Sequence, residues 1–127
     1  MTRSMRLELF ERELERLLRS EVEDDYVSFV DAREPSRQVL FLAHDGAVYG
    51  EVLSAGRSVE TALGCLGFVR SGSSYSRESL PLDARKLGCL AELLFGAAFG
   101  PVEGLTVLPL ARAGREAAFR PAVRLNA

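Results

Sequence analysis

The stretch RQVLFLAHDGAVYGEVLS, residues 37–54, decides the fold that we expect for this chain. Its first half is rich in β-forming residues and almost continuously apolar, and residues 47–54 alternate between two sets of side chains. Asp45-Gly46 lies between the halves, and Asp-Gly is a strong signal for the tight turn of a β-hairpin. The stretch therefore predicts two antiparallel strands joined by a short turn.

A helix and a further strand are predicted upstream of this hairpin. Residues 4–21 carry apolar side chains every three or four positions and charged side chains between them, as in an amphipathic helix. Ser4 is placed to cap that helix. Residues 25–32, DYVSFVDA, have strand character and follow an acidic turn. A helix followed by a three-stranded meander is therefore expected.

Shorter elements are predicted downstream. Residues 57–66 have helical spacing, and Gly67 is placed to end that helix. Residues 68–70 and 75–78 read as two short strands joined by the loop SGSS. Residues 81–99 predict another helix, with Pro81 in its first turn.

The whole pattern predicts an α+β fold. An antiparallel sheet is packed by the N- and C-terminal helices, in the order α-β-β-β-α-β-β-α, and the stretch GLTVLPL predicts a last strand around residues 105–108. We expect one domain, residues 1–110, followed by a basic C-terminal tail, residues 111–127.

Composition and charge exclude several classes of protein. The chain has 127 residues, 47% of them hydrophobic, and a net charge of −2, which gives no reason to expect nucleic-acid binding. No segment approaches the roughly 20 apolar residues that span a bilayer, and the first residues lack the apolar core of a signal peptide. We therefore expect a cytoplasmic protein that neither binds nucleic acid nor inserts into a membrane.

The charge is unevenly distributed along the chain. Residues 111–127 contain four arginines against Glu116, a local balance of +3, so the other 110 residues sum to −5. Such a tail can fold onto an acidic surface, bind an acidic partner or remain solvated.

The residue types that carry catalysis or bind metals are few and scattered. His44 is the only histidine, and neither it nor the two cysteines, Cys65 and Cys89, has metal-ligand or CxxC spacing. We expect both cysteines to be buried as small apolar side chains. The loop SGSS lacks the glycine spacing and the following helix of a phosphate-binding loop. The acids at residues 23–25 lack the spacing of a calcium loop. The sequence therefore predicts no enzyme, no metal and no cofactor.

Four short motifs, in this order, resemble those of a known family. They are Glu51-Val52-Leu53-Ser54, Leu66-Gly67-Phe68, Tyr75-Ser76-Arg77 and the Ala/Leu-rich helix from Leu90 to Pro101. Together they resemble the small bacterial YbjN-like domains that are grouped with type III secretion chaperones as TY-Chap proteins, over about residues 5–110. The chain departs from that pattern in its short loop after Ser54 and in its tail.

The resemblance implies a fold and a function. The fold is a helix on an antiparallel sheet, a middle helix, two more strands and a closing helix. The function is non-catalytic binding of a protein segment, often as a homodimer, and the family supplies no catalytic residues to transfer.

We therefore expect a peptide- or protein-binding chaperone-like module. Its candidate contact residues are Tyr49, Glu51, Phe68, Tyr75 and Arg77. One alternative is a small-ligand sensor or enzyme with a pocket between sheet and helices, which convergence of His44 and Glu51 would favour. A second is a structural assembly subunit that binds itself or one neighbour. A single strand carboxylate such as Glu51 more often faces solvent on the open side of an antiparallel sheet.

Overall fold

The structure, a computed structural model, describes residues 1–109 and confirms the predicted α+β class. The predicted order of elements is also confirmed, and β6 follows the last helix. The elements are α1 (Arg3–Arg19), β1 (Tyr26–Asp31), β2 (Gln38–His44), β3 (Ala47–Leu53), a 3₁₀ turn (Arg57–Val59), α2 (Glu60–Cys65), β4 (Val69–Ser71), β5 (Ser74–Arg77), α3 (Ala84–Phe99) and β6 (Leu105–Leu108). The predicted tail, residues 111–127, lies outside the described residues.

The two long helices begin at side-chain caps that differ from the predicted ones. Thr2, and not Ser4, caps α1, because its hydroxyl oxygen accepts a hydrogen bond from the backbone N–H of Met5 at 3.2 Å. Asp83 caps α3 and accepts from the backbone N–H of Lys86 at 2.9 Å. Pro81 therefore lies before this helix and not in its first turn.

The six strands form one antiparallel sheet in the order β4-β5-β3-β2-β1-β6. The hairpin that the opening stretch predicted is confirmed. His44 lies opposite Ala47, and Asp45 and Gly46 form the turn with φ values of 51° and 77°. The β4–β5 hairpin is tighter than expected, because Ser71 pairs with Ser74 and leaves only Gly72 and Ser73 in the loop.

One side of the sheet, which we call the first face, packs against the helices. Side chains alternate along a strand, so Val27 and Phe29 of β1, Phe41 of β2 and Val52 of β3 lie on this face. All of them are fully buried in one cluster with the apolar stripes of α1 and α3. Phe10 of α1 lies at its centre, edge-on to Phe29 with ring centroids 4.8 Å apart. This cluster is the hydrophobic core of the domain.

An ion pair joins α1 to α3 above that core. The guanidinium of Arg6 donates two hydrogen bonds to the Glu92 carboxylate, at 2.8 and 2.7 Å. The two side chains are largely shielded from water, with relative exposures of 17% and 15%. The hydrogen bonds to Arg6 hold the pKa of Glu92 below its usual value. The pair fixes the register of the two helices over the first face.

The helices of the described residues do not include a candidate for a membrane span. None of the helices within residues 1–109 is long and apolar enough to cross a bilayer.

Candidate functional site

The opposite side of the sheet, which we call the second face, is the strongest candidate for a binding surface. The register places side chains from neighbouring strands in rows across it. One row contains Ser28, Leu40 and Glu51, and the next contains Tyr26, Leu42 and Tyr49. Val30 of β1 lies on the same face, beyond Ser28.

The centre of the second face is buried. The exposed fractions are 0% for Leu40, 4% for Tyr26 and 5% for Leu42. These three side chains form a cluster of their own, whereas every buried apolar side chain of the helices belongs to the core of the first face. Within residues 1–109, the cluster thus contains side chains of β1 and β2 only. These three side chains give the centre of the second face an apolar character.

Glu51 lies in the same row as Leu40, in the middle of β3, and the expectation that it faces solvent is wrong. Its exposed fraction is 6%. Glu51 lies on the side of the sheet opposite the helices, as a solvent-facing residue would, but its side chain is buried there. A carboxylate in such a place is stabilised by a cationic group or by hydrogen-bond donors, since burial penalises its charge. Glu51 therefore places one charged group beside the apolar cluster of the second face.

Tyr49 lies at the rim of the second face. Its side chain is half-buried, and its ring centroid lies 6.5 Å from that of His44. A tyrosine in this position offers a large apolar ring together with a hydroxyl group, a combination that is frequent in binding surfaces. Tyr49 and Glu51 are thus the two predicted contact residues that the second face brings together.

Phe68 and Tyr75 lie on the other side of the sheet, inside the core. They are 2% and 0% exposed. Phe68 covers Gly50 so closely that a Cβ on Gly50 would lie 3.1 Å from its ring. The Tyr75 hydroxyl donates to the carbonyl oxygen of Gly56 at 2.8 Å. In this structure both side chains stabilise the fold, and neither is accessible to a partner.

Arg77 also belongs to the helix side of the sheet. It is half-buried against Gly67 and donates to the carbonyl oxygen of Leu66 at 3.1 Å, which joins β5 to the end of α2. Gly67 has a φ of +83°, so the predicted glycine at the end of this helix is confirmed. The five predicted contact residues are therefore divided between two faces and do not form one surface.

A polar cluster that the sequence did not suggest lies at the end of β2. His44 Nδ1 lies 2.6 Å from an oxygen of Asp24 and 3.5 Å from an oxygen of Glu23. The hydrogen bond to Asp24, followed by the charges of Asp24, Glu23 and Asp45, raises the pKa of His44 above its usual value. The residues are distant in sequence, but the pairing of β1 with β2 brings them together; Ala43 N–H donates to Asp25 C=O at 2.8 Å. In the sequence, the only signal that could have predicted this contact was the strand pattern of the two segments, which indicates that β1 pairs with β2.

This cluster offers one imidazole and two carboxylates whose ligand atoms lie within 4.8 Å of one another. Such a set has the chemistry to bind a divalent cation weakly, although both carboxylates are exposed and the imidazole is partly exposed. His44 also lines a cavity of about 360 Å³, whose described lining does not include Glu51. The register separates these two residues by about 13 Å along the strands. Within residues 1–109, His44 and Glu51 therefore do not converge on one pocket, which is the arrangement that would favour a small-ligand site.

The prediction that the cysteines are buried is wrong. Cys65 near the end of α2 and Cys89 on α3 are both exposed and free. Each cysteine lies one position away from the apolar stripe of its helix. Helix α2 is short and α3 is rich in small and apolar residues, so the sequence around each cysteine did not show which side of the helix faces water.

Comparison of the chain with protein-family models, with curated proteins and with solved structures gives no match. The YbjN-like resemblance and the function that it implies therefore stay predictions.

Proposed function

We propose that this domain is a non-catalytic binding module whose second face takes a segment of protein. The observation that carries the proposal is the composition of that face: a buried apolar cluster, Tyr26, Leu40 and Leu42, beside the single buried carboxylate of Glu51. Within residues 1–109, the helices pack only on the first face of the sheet.

The chemistry of the face indicates the class of ligand. Leu40 and Leu42 are 0% and 5% exposed, so a ligand would reach them only when the face opens; its apolar side chains would then pack there, and an arginine or lysine would suit the carboxylate of Glu51. An arginine suits a carboxylate best, because its guanidinium forms two parallel hydrogen bonds. The expected ligand is an apolar segment with one or more basic residues.

The proposal agrees with the chaperone-like activity implied by the YbjN-like resemblance, but it moves the contact surface. Tyr49 and Glu51 remain contact residues, Leu40, Leu42 and Tyr26 join them, and Phe68, Tyr75 and Arg77 become structural supports. Homodimerisation stays a prediction.

A displayed library of short random peptides tests the proposal. It is selected against the immobilised chain and against a variant in which the four arginines of residues 111–127 are replaced by glutamine, so that the chain's own basic residues do not compete. We expect enriched peptides that combine arginine with apolar residues. Replacement Glu51→Gln should weaken their binding by about tenfold, the effect of losing a charge-assisted hydrogen bond.

Two further variants complete the design. Tyr49→Ala changes the rim of the face and should also weaken binding, whereas Leu93→Ala changes a side chain that is 56% exposed on α3 and should leave it unchanged. Circular dichroism checks that each variant is folded, and fluorescence anisotropy gives the affinities. Failure to enrich any peptide on either chain, or equal binding to all variants, would contradict the proposal. Sedimentation of the chain alone tests the assembly alternative.

A further inference from the structure

The polar cluster at the end of β2 has the composition of a transition-metal site. Glu23, Asp24 and His44 offer one ligand atom each, and the three atoms lie within 4.8 Å of one another. An imidazole nitrogen beside carboxylate oxygens is a ligand set that zinc uses, whereas calcium and magnesium take oxygen ligands. We propose that these three side chains bind a divalent transition-metal ion, for which Zn²⁺ is the probe.

The distances between the ligand atoms suit zinc. Zinc lies about 2.0–2.2 Å from nitrogen and oxygen ligands, so two ligands of a tetrahedral site lie about 3.4 Å apart. His44 Nδ1 lies 3.5 Å from Glu23 Oε1, close to that value. It lies 2.6 Å from Asp24 Oδ1, and those two atoms form a hydrogen bond. The ion would replace this hydrogen bond after a movement of about 0.8 Å at the Asp24 carboxylate, which is 59% exposed.

The carboxylate of Glu23 is held beside His44 by the backbone. Its Oε1 atom accepts from the backbone N–H of Asp45 at 3.0 Å and from that of Asp24 at 3.3 Å. A carboxylate has about four acceptor sites, so about two remain for an ion. Because the side chain is already placed, less conformational entropy is lost when the ion binds.

The turn that carries both carboxylates is anchored by the next residue, Asp25. The Ser20 hydroxyl donates to Asp25 Oδ2 at 2.5 Å, and the backbone N–H of Ala43 donates to the carbonyl oxygen of Asp25 at 2.8 Å. The first contact ties the turn to the end of α1, and the second ties it to β2 next to His44. Three ligands that are distant in sequence are therefore held at one end of the sheet.

The ligand set predicts an exchangeable ion. Structural zinc sites have four protein ligands, whereas three protein ligands leave one position for water. His44 and Glu23 also line the cavity of about 360 Å³ described above, so water or a small ligand has access to that position. The proposed site does not depend on the proposed function, because it uses none of the apolar cluster of the second face.

The test uses the full-length chain with both exposed cysteines, Cys65 and Cys89, replaced by serine, because thiolates are themselves zinc ligands. The protein is prepared without a histidine tag, so that His44 is its only imidazole. Zinc chloride is titrated into this protein. Calorimetry gives the affinity and the stoichiometry, for which we expect one ion per chain.

Nuclear magnetic resonance locates the ion. We expect zinc to shift the imidazole resonances of His44 and the amide resonances of Glu23 and Asp24. The amides of Gly64 and Gly96, on the helix side, should not move. A shift that is confined to other parts of the chain, or no binding of zinc at all, would overturn the proposal.

Ligand variants test the assignment of each side chain. His44→Asn and, separately, Asp24→Asn should weaken zinc binding by at least about tenfold, since even the loss of a group that only orients a ligand costs that much. Glu21→Gln is the matched control, because it removes an exposed carboxylate of the same turn that is not among the three ligands. Circular dichroism checks that each variant is folded. Equal affinities in the control and in both ligand variants would contradict the site.

Other ions separate a metal site from a patch of negative charge. Cu²⁺ should bind more tightly than Zn²⁺, as it does to most sites with nitrogen ligands. Ca²⁺ and Mg²⁺ in excess should neither displace zinc nor shift the His44 imidazole. If calcium displaced zinc and gave the same shifts, the cluster would only attract cations by its charge, and the proposal would be wrong.

Discussion

The two faces of the sheet bury their centres by different means. On the first face, α1 and α3 bring long apolar stripes over Phe29 and Phe41, and all of these residues lie within the described chain. On the second face, Leu40 is as fully buried as Phe41, but among the described residues its cluster contains side chains of β1 and β2 alone. The comparison teaches that burial in the first case is a property of local amphipathic patterns. In the second case, no helix of the described residues packs on the face, so the burial of Leu40 does not follow from such a pattern.

The first face should respond most strongly to mutation. Phe10→Ala removes the ring that contacts Phe29 and Phe95, so we expect a loss of about 3–5 kcal/mol in the free energy of unfolding. Urea denaturation followed by circular dichroism measures it. The control, Leu93→Ala on the exposed side of α3, should stay within about 0.5 kcal/mol of wild type. A small effect of Phe10→Ala would contradict the helix packing.

The second face is tested by Leu40→Ala in the full-length chain. Leu40 is fully buried, so removing this side chain should leave a cavity and lower the free energy of unfolding by about 2–3 kcal/mol. The same denaturation experiment applies. A loss below about 1 kcal/mol would mean that Leu40 faces water in solution. The two faces would then differ because the second is exposed to solvent and the first is buried.

The ion pair above the first face should have an intermediate effect. Glu92→Gln removes the charge that accepts two hydrogen bonds from Arg6, and we expect to lose about 1–2 kcal/mol at neutral pH. The pKa of Glu92 is lowered in the folded protein, so this contribution is present above the unfolded pKa and is lost as the pH falls through the folded one. Equal acid sensitivity in wild type and variant would contradict it.

Tyr75→Phe sharpens the distinction between structural and binding residues. It removes one hydrogen bond to Gly56 and keeps the buried ring, so the expected loss is about 1 kcal/mol in stability. Affinity for a selected peptide should not change. If the affinity fell while the stability did not, Tyr75 would be a contact residue after all.

The smallest effect is expected at His44, beside the rim of the second face. Its pKa is raised by the hydrogen bond to Asp24, so its stabilising contribution is present below the unfolded value of about 6.5. That contribution is lost as the pH rises through the folded pKa. An NMR titration of the imidazole should therefore give a pKa above 6.5, and Asp24→Asn should lower it. Identical titration curves would show that the contact does not form in solution.

Local patterns made most of the fold predictable. The helix of α1, the Asp45-Gly46 turn and the sharp end of α2 at Gly67 follow from spacing and backbone preference, which depend on neighbours in sequence. The candidate site was harder to predict. Strand alternation assigns a side chain such as that of Glu51 or Phe68 to one of the two faces of the sheet, but it does not show which face the helices cover. The contact of His44 with Asp24 depends on the pairing of β1 with β2, which no single segment encodes.

The exposed thiols of Cys65 and Cys89 have a practical consequence for every measurement of self-association. Accessible thiols oxidise in air, and a disulfide between two molecules would join them through α2 or α3, on the helix side. Such a covalent dimer would not involve the second face. In a measurement of mass alone, it could not be told from a dimer held by non-covalent contacts. Sedimentation in the presence and absence of reductant separates the two, and a dimer that survives reduction is the one held by its surfaces.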